Sequence, residues 1–314
     1  MGPDQPGQPG LSRLSVVRAD FFRYHLLVPR ALFVSDLHGR IPRYEKLFAA
    51  ISREKPAAVF IGGDFLPHAW YPAGPADRDH QDFVGDFLAA NLLDLRRELG
   101  ASYPRVFLIM GNDDARLEEA ALLEAAERGI WEYAHNRKAA LERFEIYGYA
   151  FVPPTPFLRK DWDRYDVSRY VDPGAVGPEE GIRTVPVSEH ETRYATIKDD
   201  LDRLADDDDL TNAVFLFHAP PYQTNLDWSL QGGRLVDHVP LDRHLGSIAV
   251  RRFIESRQPL LTLHGHVHEA VRLSGSWRDR LGRTHCFSAA HDGPELALVR
   301  FDLDDLNAAT RELL

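Results

Sequence analysis

The chain of 314 residues has length for about two ordinary domains, although single α/β domains also reach this size. Hydrophobic residues make up 44% and charged residues 27%, which excludes collagen-like and disordered classes. A formal charge of −11 disfavours a general electrostatic grip on nucleic acid, though only mildly, because bound divalent cations offset such charge locally.

Residues 1–12, beginning "MGPDQPGQPG", are rich in Pro and Gly and lack the basic and apolar regions of a signal peptide. They predict a flexible tail, with residues 13–314 forming a single domain. No run of 18 apolar residues occurs, which argues against a membrane span and makes the cytoplasm the default location. The apolar runs "RALFVSD" (30–36), "AAVFIGGD" (57–64) and "RVFLIM" (105–110) read as buried strands. Each precedes a helical pattern: "RYEKLFAAISREK", "DFVGDFLAANLLDLRREL" and "ARLEEAALLEAAERG", the last closed by Gly129 as a C-cap. Residues 150–195 carry Pro, Gly, charges and aromatics with weak periodicity, as expected of an insertion or cap. Trp162, Tyr165 and Tyr170 lie in it, and packing onto the core is their expected role rather than stacking on a base. Beyond "DDDD" (206–209), a solvated turn, "NAVFLFHAP" (212–219) and "PLLTLHGHVH" (259–268) repeat the strand form around a helical "SIAVRRFIESRQ". The tail "RTHCFSAAHDGPELALVRFDL" alternates in short stretches and fits antiparallel strands at a sheet edge. His291 within it is read as a structural hydrogen-bonding residue.

All five apolar runs end in residues able to bind a metal: Asp36 and His38, Asp64, Asn112 and Asp113, His218, and His264, His266 and His268. Strands of an open α/β sheet deliver such groups to one place at their carboxyl ends. The single cysteine, Cys286, excludes a disulfide and any thiolate-rich site, and reads as a buried small hydrophobe. Carboxylates, an amide and imidazoles exceed what one tetrahedral ion needs and suit two divalent cations about 3.5 to 4 Å apart, with Asp64 as the bridging carboxylate. Nitrogen and oxygen donors favour Mn, Fe, Zn, Ni or Co over calcium.

The ordered set Asp36-x-His38, Gly62-Gly63-Asp64, Gly111-Asn112, His218 and Gly265-His266-x-His268 resembles the calcineurin-like metallophosphoesterases. "HAPPYQTNLD" (218–227) looks like their Icc-like branch. The resemblance implies a four-layer α/β/β/α sandwich with mixed sheets and helices on the outer faces. It also implies one metal site of Asp36, His38, Asp64 and His268, and a second of Asp64, Asn112, His218 and His266. A hydroxide bridging the two ions would be the nucleophile on a small-molecule phosphoester, with nucleotides among the candidates and a diester preferred to a monoester. A non-catalytic metal-binding scaffold and a metal-dependent nuclease are the alternatives.

Asn112 and Asp113 are the expected catalytic residues, and Asp113 departs from the family pattern, which has His there. An ionised aspartate is a poor proton donor and repels phosphate. Three accounts follow. Asp113 holds a helping residue such as His68, His264 or Arg116; or the substrate has a good leaving group; or catalysis is slight. His68, Arg116 and His264 are accordingly the candidate substrate-binding residues. Asp114 is expected to be an N-cap or first-turn charge of the next helix.

Overall fold

The computed structural model describes residues 1–2, 30–67 and 82–314. His68 and all but the first two residues of the predicted tail lie outside them. The first half runs β1 (Arg30–Val34), α1 (Ile41–Glu54), β2 (Ala58–Gly62), α2 (Ala90–Leu99), β3 (Arg105–Ile109), α3 (Glu119–Glu127), β4 (Glu132–Tyr133), β5 (Arg137–Leu141) and β6 (Phe144–Tyr149). Then come α4 (Glu189–Tyr194), α5 (Ile197–Ala205), β7 (Ala213–Phe217), β8 (Leu235–Val236), β9 (Val239–Pro240), α6 (Ile248–Arg257) and β10 (Leu261–His264). The chain ends with α7 (Ala270–Ser274), β11 (Arg278–Leu281), β12 (Thr284–Ser288), β13 (Ala297–Asp302) and β14 (Asp305–Leu313).

Two six-stranded mixed sheets result, ordered β14-β13-β1-β2-β3-β4 and β11-β12-β10-β7-β6-β5. In the first, β1 to β4 run parallel and β13 and β14 add antiparallel. In the second, β12, β10, β7 and β6 run parallel, with β11 and β5 antiparallel at the edges. Strands β2 and β7 are buried along their whole length, as the unbroken apolar runs require when both faces of a sheet are covered.

The sheets face each other through β2 and β3 against β6 and β7. Phe60 stacks on Phe107 at 5.3 Å and lies 6.0 Å from Phe301, which meets Phe287 of the other sheet at 6.1 Å. Outside, α1 buries Tyr44, Leu47, Ala50 and Ile51 at helical spacing. Phe253 of α6 covers Phe215 of β7 at 5.0 Å. The layering is helix, sheet, sheet, helix, as the resemblance implied.

Three details differ from the sequence reading. Residues 83–89 form a π-helical segment before α2, started by Asp82 accepting from Gly85 N at 2.8 Å. The tail splits between sheets: β12 runs parallel to β10 and antiparallel to the edge strand β11 in the second sheet, while β13 and β14 form an antiparallel edge on the first. Strands β5 and β6 were not anticipated. Among the described residues no helix is long and apolar enough to cross a membrane.

Candidate metal centre

Parallel pairing of β1 with β2 continues past the strand ends. Asp36 N donates to Gly63 O at 3.0 Å, His38 N to Asp64 O at 2.8 Å and Gly39 N to Phe65 O at 2.9 Å. This locks two loops together and sets Asp36, His38 and Asp64 side by side. From the second sheet, Gly265 N donates to His218 O at 2.9 Å, and His266 N donates to Asp36 Oδ1 at 3.0 Å, tying the loop after β10 to the loop after β1. Asp36, His38, Asp64 and His266 have φ of 58°, 49°, 50° and 73°. Left-handed backbone costs a non-glycine residue ~1–3 kcal/mol and persists only where surroundings impose it, typically at functional sites. Here it falls on four of the seven residues expected to hold metal.

Two groups of donors converge: Asp36, His38, Asp64 and His268, and Asp64, His218 and His266, the ligand atoms of each within 4.8 Å of one another. His38 Nε2 is 3.1 Å from His268 Nε2, which is 3.2 Å from Asp36 Oδ1. His218 Nε2 is 3.2 Å from Asp64 Oδ2 and 3.1 Å from Asn112 Oδ1. Donors bound to one ion at about 2.1 Å and spread by ordinary coordination angles lie about 3.2 Å apart.

Protonation logic shows the same fit. His218 Nδ1 lies 2.7 Å from the Gly62 carbonyl, which can only accept, so this nitrogen carries the proton. In the neutral ring Nε2 then presents a lone pair to two acceptor oxygens, an arrangement that requires a proton or a cation between them. Burial opposes a charge on His218, but the adjacent Asp64 carboxylate wins and raises its pKa to about 10. Burial likewise opposes ionisation of Asp64 and Asp36, yet both are lowered, Asp64 chiefly by His218 and Asp36, to about 2, by its hydrogen bond to His268. Burial, aided by the charge of His218, takes His266 down to about 4, leaving a neutral ring suited to ligation. Asp36 Oδ2 is buried with no hydrogen-bond partner among the described residues. An orphaned carboxylate oxygen in such a place is one a cation would satisfy.

There is no room for more side chain. A Cβ on Gly111 would lie 2.3 Å from Asp64 Oδ1, and one on Gly265 would lie 1.9 Å from Ser35 Oγ and 2.8 Å from Asp36 Oδ2. Both glycines let backbone close onto a carboxylate of the donor groups.

The other predicted residues divide. Asp113 joins the centre: its N–H donates to Asp64 Oδ1 at 2.7 Å, Asn112 Nδ2 donates to its Oδ1 at 3.1 Å, and its Oδ2 lies 3.8 Å from His38 Nδ1. His264 does not join. It is fully buried in β10, with Nδ1 2.9 Å from Ala219 O and Nε2 2.7 Å from Thr262 Oγ1, and its ring stacks on Phe217. Burial drives its pKa to about 3. Arg116 turns from Asp113 to Glu119 at 3.1 Å and lies over Trp162 at 5.1 Å. Neither residue is held by Asp113 in the expected way. His291 bonds Glu295 at 2.9 Å, Trp162 and Tyr165 are buried, and Tyr170 is exposed. Cys286 is buried in β12.

Three supporting residues were missed. Asp114 is not a helix cap; it is fully buried and accepts from Leu66 N at 2.8 Å, Gly111 N at 2.9 Å and Phe65 N at 3.4 Å, pinning the loops after β2 and β3 together. Arg43 is buried and donates to the Asp36 and Gly293 carbonyls. Its signal was an arginine on the apolar face of α1. Arg159, from the connection after β6, donates to the Asp113 carbonyl.

A cluster of His, Asp and Asn donors at the carboxyl ends of two facing sheets marks an α/β/β/α protein with a candidate metal centre. The chain belongs to the calcineurin-like phosphoesterase family, Metallophos, whose profile matches residues 29–270. Metal-dependent hydrolysis of phosphoesters is therefore its chemistry. No curated protein sequence matches the chain. Among solved structures it is similar to TT1561 of Thermus thermophilus, at 18% identity and a TM-score of 0.50, covering 91% of this chain and 99% of that one. It is also similar to a novel archaeal phosphodiesterase, at 10% identity and a TM-score of 0.40, covering 91% and 99%. The first likeness is one of fold.

Proposed function

We propose that the protein is a dinuclear phosphoester hydrolase acting on small-molecule substrates, with diesters preferred to monoesters. Asp36, His38, Asp64 and His268 would hold one cation, and Asp64, Asn112, His218 and His266 the other. The observation that carries this reading is that Asp64 belongs to both donor groups. Divalent cations held there would acidify water and offset negative charge on the phosphoryl oxygens.

The chain's own residues prepare that chemistry. Asp113 N–H fixes one oxygen of Asp64, while the other faces His218. Asn112 donates one amide hydrogen to Asp113, which orients its oxygen toward His218 Nε2 and the second donor group. The donors are nitrogen and oxygen only, which suits Mn, Fe, Zn, Ni or Co. The diester preference is supported by the resemblance of "HAPPYQTNLD" to the Icc-like branch. A nucleotide fits the substrate class, and the chain's acidity disfavours nucleic acid itself. One cysteine and no possible internal disulfide suit the cytoplasm.

The test is hydrolysis of bis-p-nitrophenyl phosphate by chelator-treated protein given back Mn²⁺, beside the monoester p-nitrophenyl phosphate. The expected result is activity that returns with metal, favours the diester and vanishes in Asp64→Ala. Activity surviving Asp64→Ala unchanged sinks the assignment.

A further inference from the structure

The connection between β6 and α5 grips the backbone that follows Asn112. Trp162 Nε1 donates to Asp114 O at 3.0 Å, Asp161 Oδ2 accepts from Arg116 N at 3.0 Å, and Thr184 Oγ1 accepts from Leu117 N at 3.0 Å. Arg159 Nη2 donates to Asp113 O. Residue 113 is thus held between the metal centre and the connection: its N–H is on Asp64 Oδ1 and its carbonyl is on the Arg159 guanidinium.

Arg159 differs in pairing from neighbouring arginines. Arg164 pairs with Asp200 and Glu191, Arg169 with Glu179, and Arg193 with Glu179 and Glu189. Half-buried Arg159 has a neutral carbonyl as its acceptor and no carboxylate partner among the described residues. A guanidinium carries five N–H donors in a planar fork that matches phosphate oxygens, and one bond to a carbonyl leaves most of them available. Asp113 meanwhile turns its carboxylate toward Asn112 and His38. Where relatives place an imidazole, this chain therefore has an anionic side chain beside the donors and the Arg159 cation on the backbone carbonyl of the same residue.

We propose that Arg159 is the substrate-contacting cation of this site, binding the phosphoester on its leaving-group side in place of the imidazole absent at residue 113. This rests on the hydrolase reading above. When water adds to phosphorus, the bond from phosphorus to the leaving oxygen breaks with its electron pair on that oxygen, and the proton of the water passes to solvent. A guanidinium stabilises that anion but does not give up a proton to it. The substrates it suits are those whose leaving group is stable as an anion, such as aryl esters or phosphoanhydrides, where the leaving group is itself a phosphate.

The experiment compares wild type, Arg159→Ala and Arg159→Lys across aryl and alkyl phosphodiesters of graded leaving-group acidity, with Mn²⁺ titration and inorganic phosphate binding by calorimetry. Removing one such donor is expected to lower kcat/KM on aryl diesters by about 10²-fold. The loss should change with leaving group, Lys should restore part of it, added guanidinium should rescue Arg159→Ala, and Mn²⁺ affinity should stay at the wild-type level. Phosphate binding should weaken about tenfold or more. An unchanged kcat/KM overturns the proposal. So does a loss equal for every leaving group and accompanied by weakened Mn²⁺ binding, the mark of a structural strut. Should wild type hydrolyse nothing, the hydrolase reading fails, and phosphate binding still decides: equal affinity in Arg159→Ala and wild type rejects the contact.

Discussion

Gly111→Ala places the smallest side chain against Asp64, the carboxylate common to both donor groups. Its methyl would lie 2.3 Å from Asp64 Oδ1, 2.6 Å from Asp64 N and 2.7 Å from His218 Cε1. Rotating the carboxylate relieves the first contact only, because the second is backbone. The turn at 111–114 must therefore move, and with it the 2.7 Å bond from Asp113 N to Asp64 Oδ1. Overpacking costs about 1–3 kcal/mol and losing a hydrogen bond to a charged group about 1.5–3, together about 2.5–6 kcal/mol. Urea unfolding of metal-free protein and Mn²⁺ titration measure how that cost divides. The expected result is a lowered midpoint and at least about tenfold weaker Mn²⁺ binding, since each 1.4 kcal/mol is tenfold. Gly177→Ala, whose Cβ meets only the end of the Glu180 side chain at 3.3 Å, is the control and should change little. Wild-type midpoint and Mn²⁺ affinity in Gly111→Ala would refute the packing argument.

Asp114→Asn turns one acceptor facing Leu66 N or Gly111 N into a donor and should cost about 1–3 kcal/mol in urea unfolding; an unchanged midpoint contradicts the pinning role. Burial, with the charge of Asp64, raises Asp114 from its ordinary 3.8 to about 8. Between those values the metal-free native state binds more protons than the unfolded chain, so stability falls as pH rises, and Asp114→Asn should flatten that slope. His218, raised from 6.5 to about 10 in metal-free protein, has the same sign in its own window: its contribution is complete below about 6.5 and is lost as pH rises through about 10. Cation and proton compete for its Nε2, so Mn²⁺ affinity should rise with pH and binding near pH 7.5 should release protons. Calorimetry in buffers of different ionisation enthalpy checks this, and no release would contradict it.

Five strands and the donor groups at their ends were legible because each is an unbroken apolar run that ends in polar residues, the pattern of a parallel strand buried on both faces. What stayed hidden depends on contacts distant in sequence. Asp114 precedes a helix and so reads locally as a cap, yet a single-turn 3-10 helix at Arg116–Glu118 intervenes before α3, and its carboxylate partners Phe65 and Leu66 across the sheet. His264 shares the His-x-His spacing of its neighbours, but it is still within β10 and faces the core. His266 lies beyond the strand end in left-handed backbone, where alternation no longer assigns faces. The tail's alternation marked strands without saying which sheet they join. Arg159 lay in a stretch of weak periodicity, where nothing local shows its reach to Asp113.

Titration of chelator-treated protein with Mn²⁺, read by calorimetry and by electron spin resonance, tests the shared-ligand centre most directly. The account predicts two equivalents per chain, spin-coupled through their common ligand, and loss of the coupled pair in Asp64→Ala. One equivalent in the wild type, or a coupled pair that survives Asp64→Ala, would contradict it.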